Sequence, residues 1–250
     1  MLLVKRSICK STTFQKCGGQ TSSIVQRADT ACAYCGQRTD RLTRDHVVPK
    51  ALWGNTKLPP RMVTAPCCKS CHRYWDGEVE YFRNILVAQI DRHAHRVSDH
   101  LLEGPVIRSL KRNSQAWKDF FRNARLVELR NRSGIILAYR QAFEMDMSRF
   151  SRSISKIVRG LFYKKSHRPL APGYRVEVAH GDEFWQDEGF QHNLAIMEPW
   201  ASYGDDVFML RCARDSSDWN KTAWLLRFYC SIAVYAWTEP DAGAQLMTGG

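Results

Sequence analysis

Cys32-Ala-Tyr-Cys35 and Cys68-Lys-Ser-Cys71 are two Cys-x-x-Cys pairs with 32 residues between them. Each pair folds readily into a tight turn that directs two thiolates at one ion, and zinc takes four such ligands in a tetrahedron. The intervening residues suffice for a β-hairpin and a loop. The two pairs therefore predict a structural zinc site. Cys67 adjoins the second pair, but Cys68 gives the two-residue spacing and is the predicted ligand.

The stretch between the pairs carries residues suited to catalysis. It contains Arg44-Asp-His-Val-Val-Pro49, and His72 directly follows the second pair. A carboxylate and two imidazoles are the residue types that bind a divalent cation and activate a water molecule. A structural metal beside such a group favours a metal-dependent nuclease. The alternative is that both histidines are structural, hydrogen-bonded within a zinc-stabilised binding module.

These motifs carry a family resemblance. Asp45-His-Val-Val-Pro49, followed by Cys68-x-x-Cys71-His72, resembles the HNH endonuclease family. The longer string Asp45-His-Val-Val-Pro-Lys-Ala-Leu52, with Val63-Thr-Ala-Pro-Cys-Cys68 and Tyr74-Trp-Asp76, resembles a bacterial branch of that family whose role is poorly defined. The resemblance implies a zinc-bound treble clef with a ββα-metal core. It also implies an endonuclease that hydrolyses phosphodiester bonds in DNA.

The same resemblance implies a role for each motif residue. His46 is the expected general base, because a neutral imidazole near pH 7 can take a proton from the attacking water. Asp45 and His72 are the expected ligands of a catalytic cation. A hard carboxylate suits Mg²⁺ or Mn²⁺, with Ni²⁺ or Zn²⁺ as alternatives. Structural Zn²⁺ is expected on the four cysteines, namely Cys32, Cys35, Cys68 and Cys71.

One position departs from the family's pattern. The family's middle Asn, which braces the loop that carries the base, has no counterpart in Pro60-Arg-Met-Val-Thr64. Asn55 lies earlier, in a poor register. We therefore expect this brace to be absent or replaced, while the base and the ligands are retained.

Charge and cysteine content indicate the partner and the compartment. The chain has 37 Lys and Arg against 25 Asp and Glu, a formal net charge of +12. This surplus favours polyanions, so nucleic acid, specifically double-stranded DNA, is the predicted partner; a solvated basic surface is the alternative. Nine cysteines with this spacing do not predict a disulfide framework, and a reducing cytoplasm fits better. No stretch approaches the roughly twenty apolar residues that cross a bilayer.

The remaining patterns predict an α+β protein in three parts. Residues 1–30 form a basic, flexible tail, residues 31–76 the zinc and nuclease module, and residues 77–250 a region of helices and antiparallel sheet. The periodicity predicts a helix over 76–102 that ends at Gly104-Pro105, and a second over 148–166. Alternation predicts strands at 125–130 and 135–139 (a hairpin), and at 173–178, 207–212 and 224–237. The cationic residues of the second helix, Lys156 among them, are expected on a solvated face; a second phosphate-contacting helix is the alternative.

Two further interpretations remain open. In the first, the chain is a non-catalytic, zinc-dependent nucleic-acid-binding protein derived from the same fold. In the second, residues 77–250 are the functional core and the zinc module docks them to a partner. That region contains neither a Walker-type loop nor a dinucleotide fingerprint. Target recognition or the contacts of a homodimer are its expected roles.

Overall fold

The computed structural model describes residues 14–16, 31–90, 95–112, 124–131, 133–142, 144–181 and 183–241. Helices and antiparallel sheets make up this part of the chain, which confirms the α+β class. The strands are β1 (Phe14–Lys16), β2 (Thr43–His46), β3 (Thr64–Cys67), β4 (Arg125–Arg130), β5 (Ile136–Ala142), β6 (Tyr174–His180), β7 (Ala201–Tyr203), β8 (Phe208–Asp215), β9 (Thr222–Phe228) and β10 (Ile232–Pro240). The α-helices are α1 (Lys69–Ala88), α2 (Arg96–Leu101), α3 (Ile107–Arg112), α4 (Met147–Ser166) and α5 (Glu188–Ile196).

The main sheet has six antiparallel strands. Its order is β1-β8-β9-β10-β6, and β7 also pairs with β8. Strand β9 lies inside the sheet and is apolar on both faces, as expected for a strand covered on both sides. Two smaller hairpins, β2–β3 and β4–β5, stand apart from this sheet. Strand β1 lies within the predicted tail; the other residues before Ala31 fall outside the described part.

Two layers cover the main sheet. One face packs against α1, α4 and the cysteine-bearing module, and their buried side chains form one continuous cluster with those of the sheet. The other face packs against residues 183–197, where Phe184, Phe190 and Met197 cover Leu225 and Tyr235. Helix α1 runs across the predicted domain boundary between residues 76 and 77. The module therefore shares its hydrophobic core with the region that follows it.

Helix α4 links the module to the sheet. The Asp146 carboxylate caps its first turn by accepting a hydrogen bond from the Arg149 N–H, and His167 ends it in a left-handed conformation. Where α4 crosses the module, a Cβ at Gly160 would lie 2.7 Å from Cγ2 of Val47. Only glycine allows the helix to approach this closely. The close approach places the preceding turn of α4, which carries Lys156, next to the module.

Several predicted elements are confirmed with small changes. The hairpin β4–β5, helix α4 and strands β6 and β8 lie where the sequence predicts them. The stretch 224–237 is also β-structure, but it forms two strands joined by a turn. Tyr229 and Cys230 adopt positive φ in that turn, which is the backbone that a tight hairpin needs. Tyr229 remains there because its buried hydroxyl donates to the Leu52 carbonyl at 2.8 Å.

The prediction for the helix over 76–102 is wrong at both ends. Helix α1 begins at Lys69, because Cys68 supplies the extended residue before it, and ends at Ala88. A second helix, α2, begins at Arg96, and Gly104-Pro105 does not end that helical stretch. Leu102–Val106 forms a wide π-helical turn around Pro105, and α3 continues from it. Among the described residues, none of the helices is long and apolar enough to cross a membrane.

Candidate functional site

The four predicted zinc ligands converge. Cys32 and Cys35 lie on the loop before β2, Cys68 directly precedes α1, and Cys71 lies in its first turn. Their sulfur atoms lie within 4.8 Å of one another, and the Sγ atoms of Cys35 and Cys68 are 3.8 Å apart. Four sulfurs about 2.3 Å from a central zinc would be separated by about 3.8 Å. The cluster can therefore hold a metal ion such as zinc.

Cys67 lies beside this cluster with a different role. The neighbouring Cys67 thiol, together with the Cys68 N–H that donates to Cys32 Sγ at 3.4 Å, lowers the pKa of Cys32 to about 4 despite the opposing effect of burial. The interaction with Cys32 raises the pKa of Cys67, which favours its thiol form, and this thiol donates to the Cys68 carbonyl at 3.4 Å. The thiolate is the form that binds metal. Cys67 thus supports a ligand, and Cys68 supplies the fourth sulfur.

A cation from α4 lies near the cysteines. Burial lowers the pKa of Arg159, and Cys35 and Cys71 act in the opposite direction, because in the thiolate form that binds a metal ion they stabilise its charge. The Arg159 guanidinium also donates a hydrogen bond to the Tyr174 carbonyl at 3.3 Å. Four thiolates around one divalent ion carry a net negative charge. Arg159 offsets part of that charge.

Asp45 lies in a buried cluster of polar groups. Its Oδ2 atom accepts a hydrogen bond from the Tyr34 hydroxyl at 2.7 Å and an ion pair from the Lys156 ammonium at 2.8 Å. Only 6% of the Lys156 side chain and 14% of the Asp45 side chain are exposed. Lys156 also lies 5.6 Å from the centre of the Tyr34 ring. The Asp45 carboxylate is therefore held by an ammonium group and a hydroxyl group of the protein itself.

The prediction that Lys156 lies on a solvated face is wrong. Ser153 and Gly160 lie one turn before and one turn after it on the same side of α4, and all three are buried. Because its neighbours on this face are small, the helix approaches the module closely. The Lys156 side chain on that face is then directed at Asp45. Tyr34 and Lys156 are the two site residues that sequence reasoning missed, and this small-Lys-small pattern was the available signal.

His46 is half-buried at the end of β2, opposite Thr64. Burial, with the positive charge of Lys50, lowers its pKa, while Asp45 acts against this shift. The imidazole is therefore neutral at pH 7. The next residue continues the strand pairing, since the Val47 N–H donates to the Val63 carbonyl at 3.0 Å. This backbone bond restrains the loop after His46, where the sequence has no Asn brace.

His72 is not joined to Asp45 and His46 in a ligand group. It lies in the first turn of α1, and its Nδ1 is 3.2 Å from an Asp76 carboxylate oxygen one turn later, with both side chains substantially exposed. In the described part of the chain, the metal-binding groups of three or more His, Cys, Asp or Glu residues comprise the four cysteines alone. The divalent cation that the resemblance implies at Asp45 and His72 does not fit this arrangement, because both side chains are committed to other partners.

No family model, curated protein or solved structure matches this chain.

Proposed function

We propose that this chain is a nuclease that hydrolyses phosphodiester bonds in DNA, with His46 as general base. One observation carries the proposal: a half-buried imidazole stands at the end of β2, next to Asp45 and within the cysteine-bearing module. Its lowered pKa favours the neutral form, which can accept a proton. A zinc-stabilised module holds this residue. The order of a cysteine turn, the hairpin β2–β3 and a helix that carries the last cysteine supports a treble clef of the HNH type.

The proposed chemistry uses groups of this chain. His46 takes a proton from a water molecule as the water oxygen attacks phosphorus. The P–O bond to the departing nucleotide oxygen breaks on the opposite side, and that oxygen takes a proton from solvent. Arg44 and Lys50 are exposed on either side of His46 in the sequence and are suited to contacts with the phosphate backbone. The net charge of +12 supports the same polyanionic substrate.

The test is nicking of supercoiled plasmid by the zinc-loaded chain. We expect His46→Ala to reduce the rate by roughly 10²- to 10⁴-fold, the usual contribution of a general base. Zinc content and circular dichroism should not change. His100→Ala is the matched control, because His100 is an exposed histidine outside the module. A His46→Ala variant that cuts as fast as wild type would refute the proposal.

A second candidate is a zinc-dependent nucleic-acid-binding protein without catalysis. The buried ion pair between Lys156 and Asp45 favours it, because a carboxylate engaged in this way is typical of a structural role. Supercoiled, linear and single-stranded DNA, and RNA, should be incubated without added metal and with Mg²⁺, Mn²⁺, Ni²⁺ or Zn²⁺. Salt-sensitive binding without cleavage under every condition would support the binding protein. Cleavage that requires His46 would support the nuclease.

A further inference from the structure

The Asp45 carboxylate already has a cation. The Lys156 ammonium lies 2.8 Å from Oδ2, and the Tyr34 hydroxyl donates to the same oxygen. Tyr34, Asp45 and Lys156 come from three segments of the chain: the first cysteine pair, strand β2 and helix α4. The cluster is nearly closed to solvent, so the ammonium is the charge that balances the carboxylate.

Packing holds Lys156 in this position. Its helix contributes Phe150, Ile154 and Ile157 to the continuous core, so it cannot move without opening that core. The close contact between Gly160 and Val47 lies one turn away from Lys156. The side chain itself has little free volume, as its low exposure shows. Lys156 is therefore a fixed part of the site.

A divalent cation on Asp45 would compete with this ammonium. A Mg²⁺ or Mn²⁺ ion binds a carboxylate oxygen at about 2.1 Å, where it would lie within a few ångströms of the Lys156 charge. Like charges at that separation in a buried site repel strongly. The Tyr34 hydroxyl also uses a lone pair of the same oxygen. The geometry thus disfavours a metal ion and favours the ammonium.

We propose that the Lys156 ammonium takes the place of a divalent cation at Asp45. Lys156 is then a positioning residue: it fixes Asp45 next to His46 and joins α4 to the module. The cysteine cluster is the metal site, and Asp45 is not a ligand. The expected nicking of DNA rests on the proposed function, whereas the expected metal binding does not.

The first experiment measures Mn²⁺ binding to the zinc-loaded full chain by electron paramagnetic resonance, without DNA. Wild type and Asp45→Asn should bind Mn²⁺ with the same affinity. Lys156→Met should gain a Mn²⁺ site at least about tenfold tighter, because the carboxylate is freed from its cation. The double variant Asp45→Asn, Lys156→Met should lose that site. Lys156→Arg should behave as wild type, since it keeps the charge.

Two results would overturn the inference. One is a Mn²⁺ affinity of the wild-type chain that falls about tenfold in Asp45→Asn, which would identify Asp45 as a ligand. The other is a folded Lys156→Met chain with unchanged Mn²⁺ binding. Should Lys156→Met fail to fold, the comparison of wild type with Asp45→Asn still decides.

Plasmid nicking separates this inference from the proposed function. We expect nicking that requires His46 and proceeds without added Mg²⁺ or Mn²⁺. Nicking that strictly requires Mg²⁺ or Mn²⁺ and is lost in Asp45→Asn would overturn the inference and leave the nuclease standing. If nothing is cut while Mn²⁺ binding is independent of Asp45, the inference stands and the nuclease proposal fails.

Discussion

The cysteine cluster and the Asp45 cluster belong to the same short module, but they are assembled differently. All four cysteines come from within 40 residues, on a tight turn and a helix start whose local geometry brings them together. Asp45 takes its ion-pair partner from α4, more than 100 residues later. Local spacing is thus sufficient for the metal cluster, whereas tertiary packing decides the state of the carboxylate.

The comparison implies different responses to substitution. A change in the cysteine cluster should affect metal binding first and the fold as a consequence. A change in the Asp45 cluster should weaken the packing of α4 against the module, while the zinc ion is retained. Four predictions test this distinction, in order of decreasing effect.

The largest effect is expected from Cys71→Ser, which removes one of the four sulfurs. Apparent binding free energies of structural zinc sites are about 10–16 kcal/mol, and much of this stabilises the fold. We expect zinc content to fall from about one ion per chain to near zero, with a large drop in Tm. Cys230→Ser is the control, because Cys230 is exposed and outside the cluster. Full zinc content in Cys71→Ser would show that Cys71 is not a ligand.

Lys156→Met should lower the free energy of unfolding by about 3–5 kcal/mol, because it leaves the Asp45 carboxylate buried without its cation. The double variant Asp45→Asn, Lys156→Met should recover most of this loss, since neither charge remains. Urea unfolding of wild type, both single variants and the double variant measures the coupling. If the two single substitutions change the free energy of unfolding additively, the ion pair is contradicted. If Lys156→Met also loses its zinc, the two clusters do not respond independently.

Gly160→Val should cost about 1–3 kcal/mol, because its Cβ would lie 2.7 and 2.8 Å from the two methyl groups of Val47. Val47→Ala in the same chain should restore part of the loss. Gly77→Val is the matched control: this glycine is also helical, but nothing lies within 4 Å of its Cβ position. That change should be neutral or stabilising by up to about 1 kcal/mol. Equal effects at the two glycines would contradict the close approach of α4.

The same division explains what could be predicted from the sequence. The spacing of the cysteines and the periodicity of α4, β6 and β8 are local signals, so the cluster and these elements were predictable. The partners of Asp45 were not, because a lysine on a helix with several cationic residues looks solvated until the face that packs is known. Ser153 and Gly160 beside Lys156 were the only sequence sign of that face. The commitment of Asp45 to Lys156 therefore could not be read from the motif that contains Asp45.

The smallest effect concerns His46. Its pKa in the folded chain is lowered by burial and by Lys50, whereas in the unfolded chain it returns to about 6.5. The unfolded state therefore binds more protons between these two values. The resulting contribution to stability is fully present above about pH 6.5 and is lost as the pH falls through the folded pKa.

We expect His46→Gln to show a shallower loss of unfolding free energy between about pH 7.5 and pH 5 than wild type. Because thiolate protonation affects both chains alike, their difference isolates His46. An equally steep or steeper loss in His46→Gln would mean that the imidazole is not held neutral, and the proposed base would lose its support.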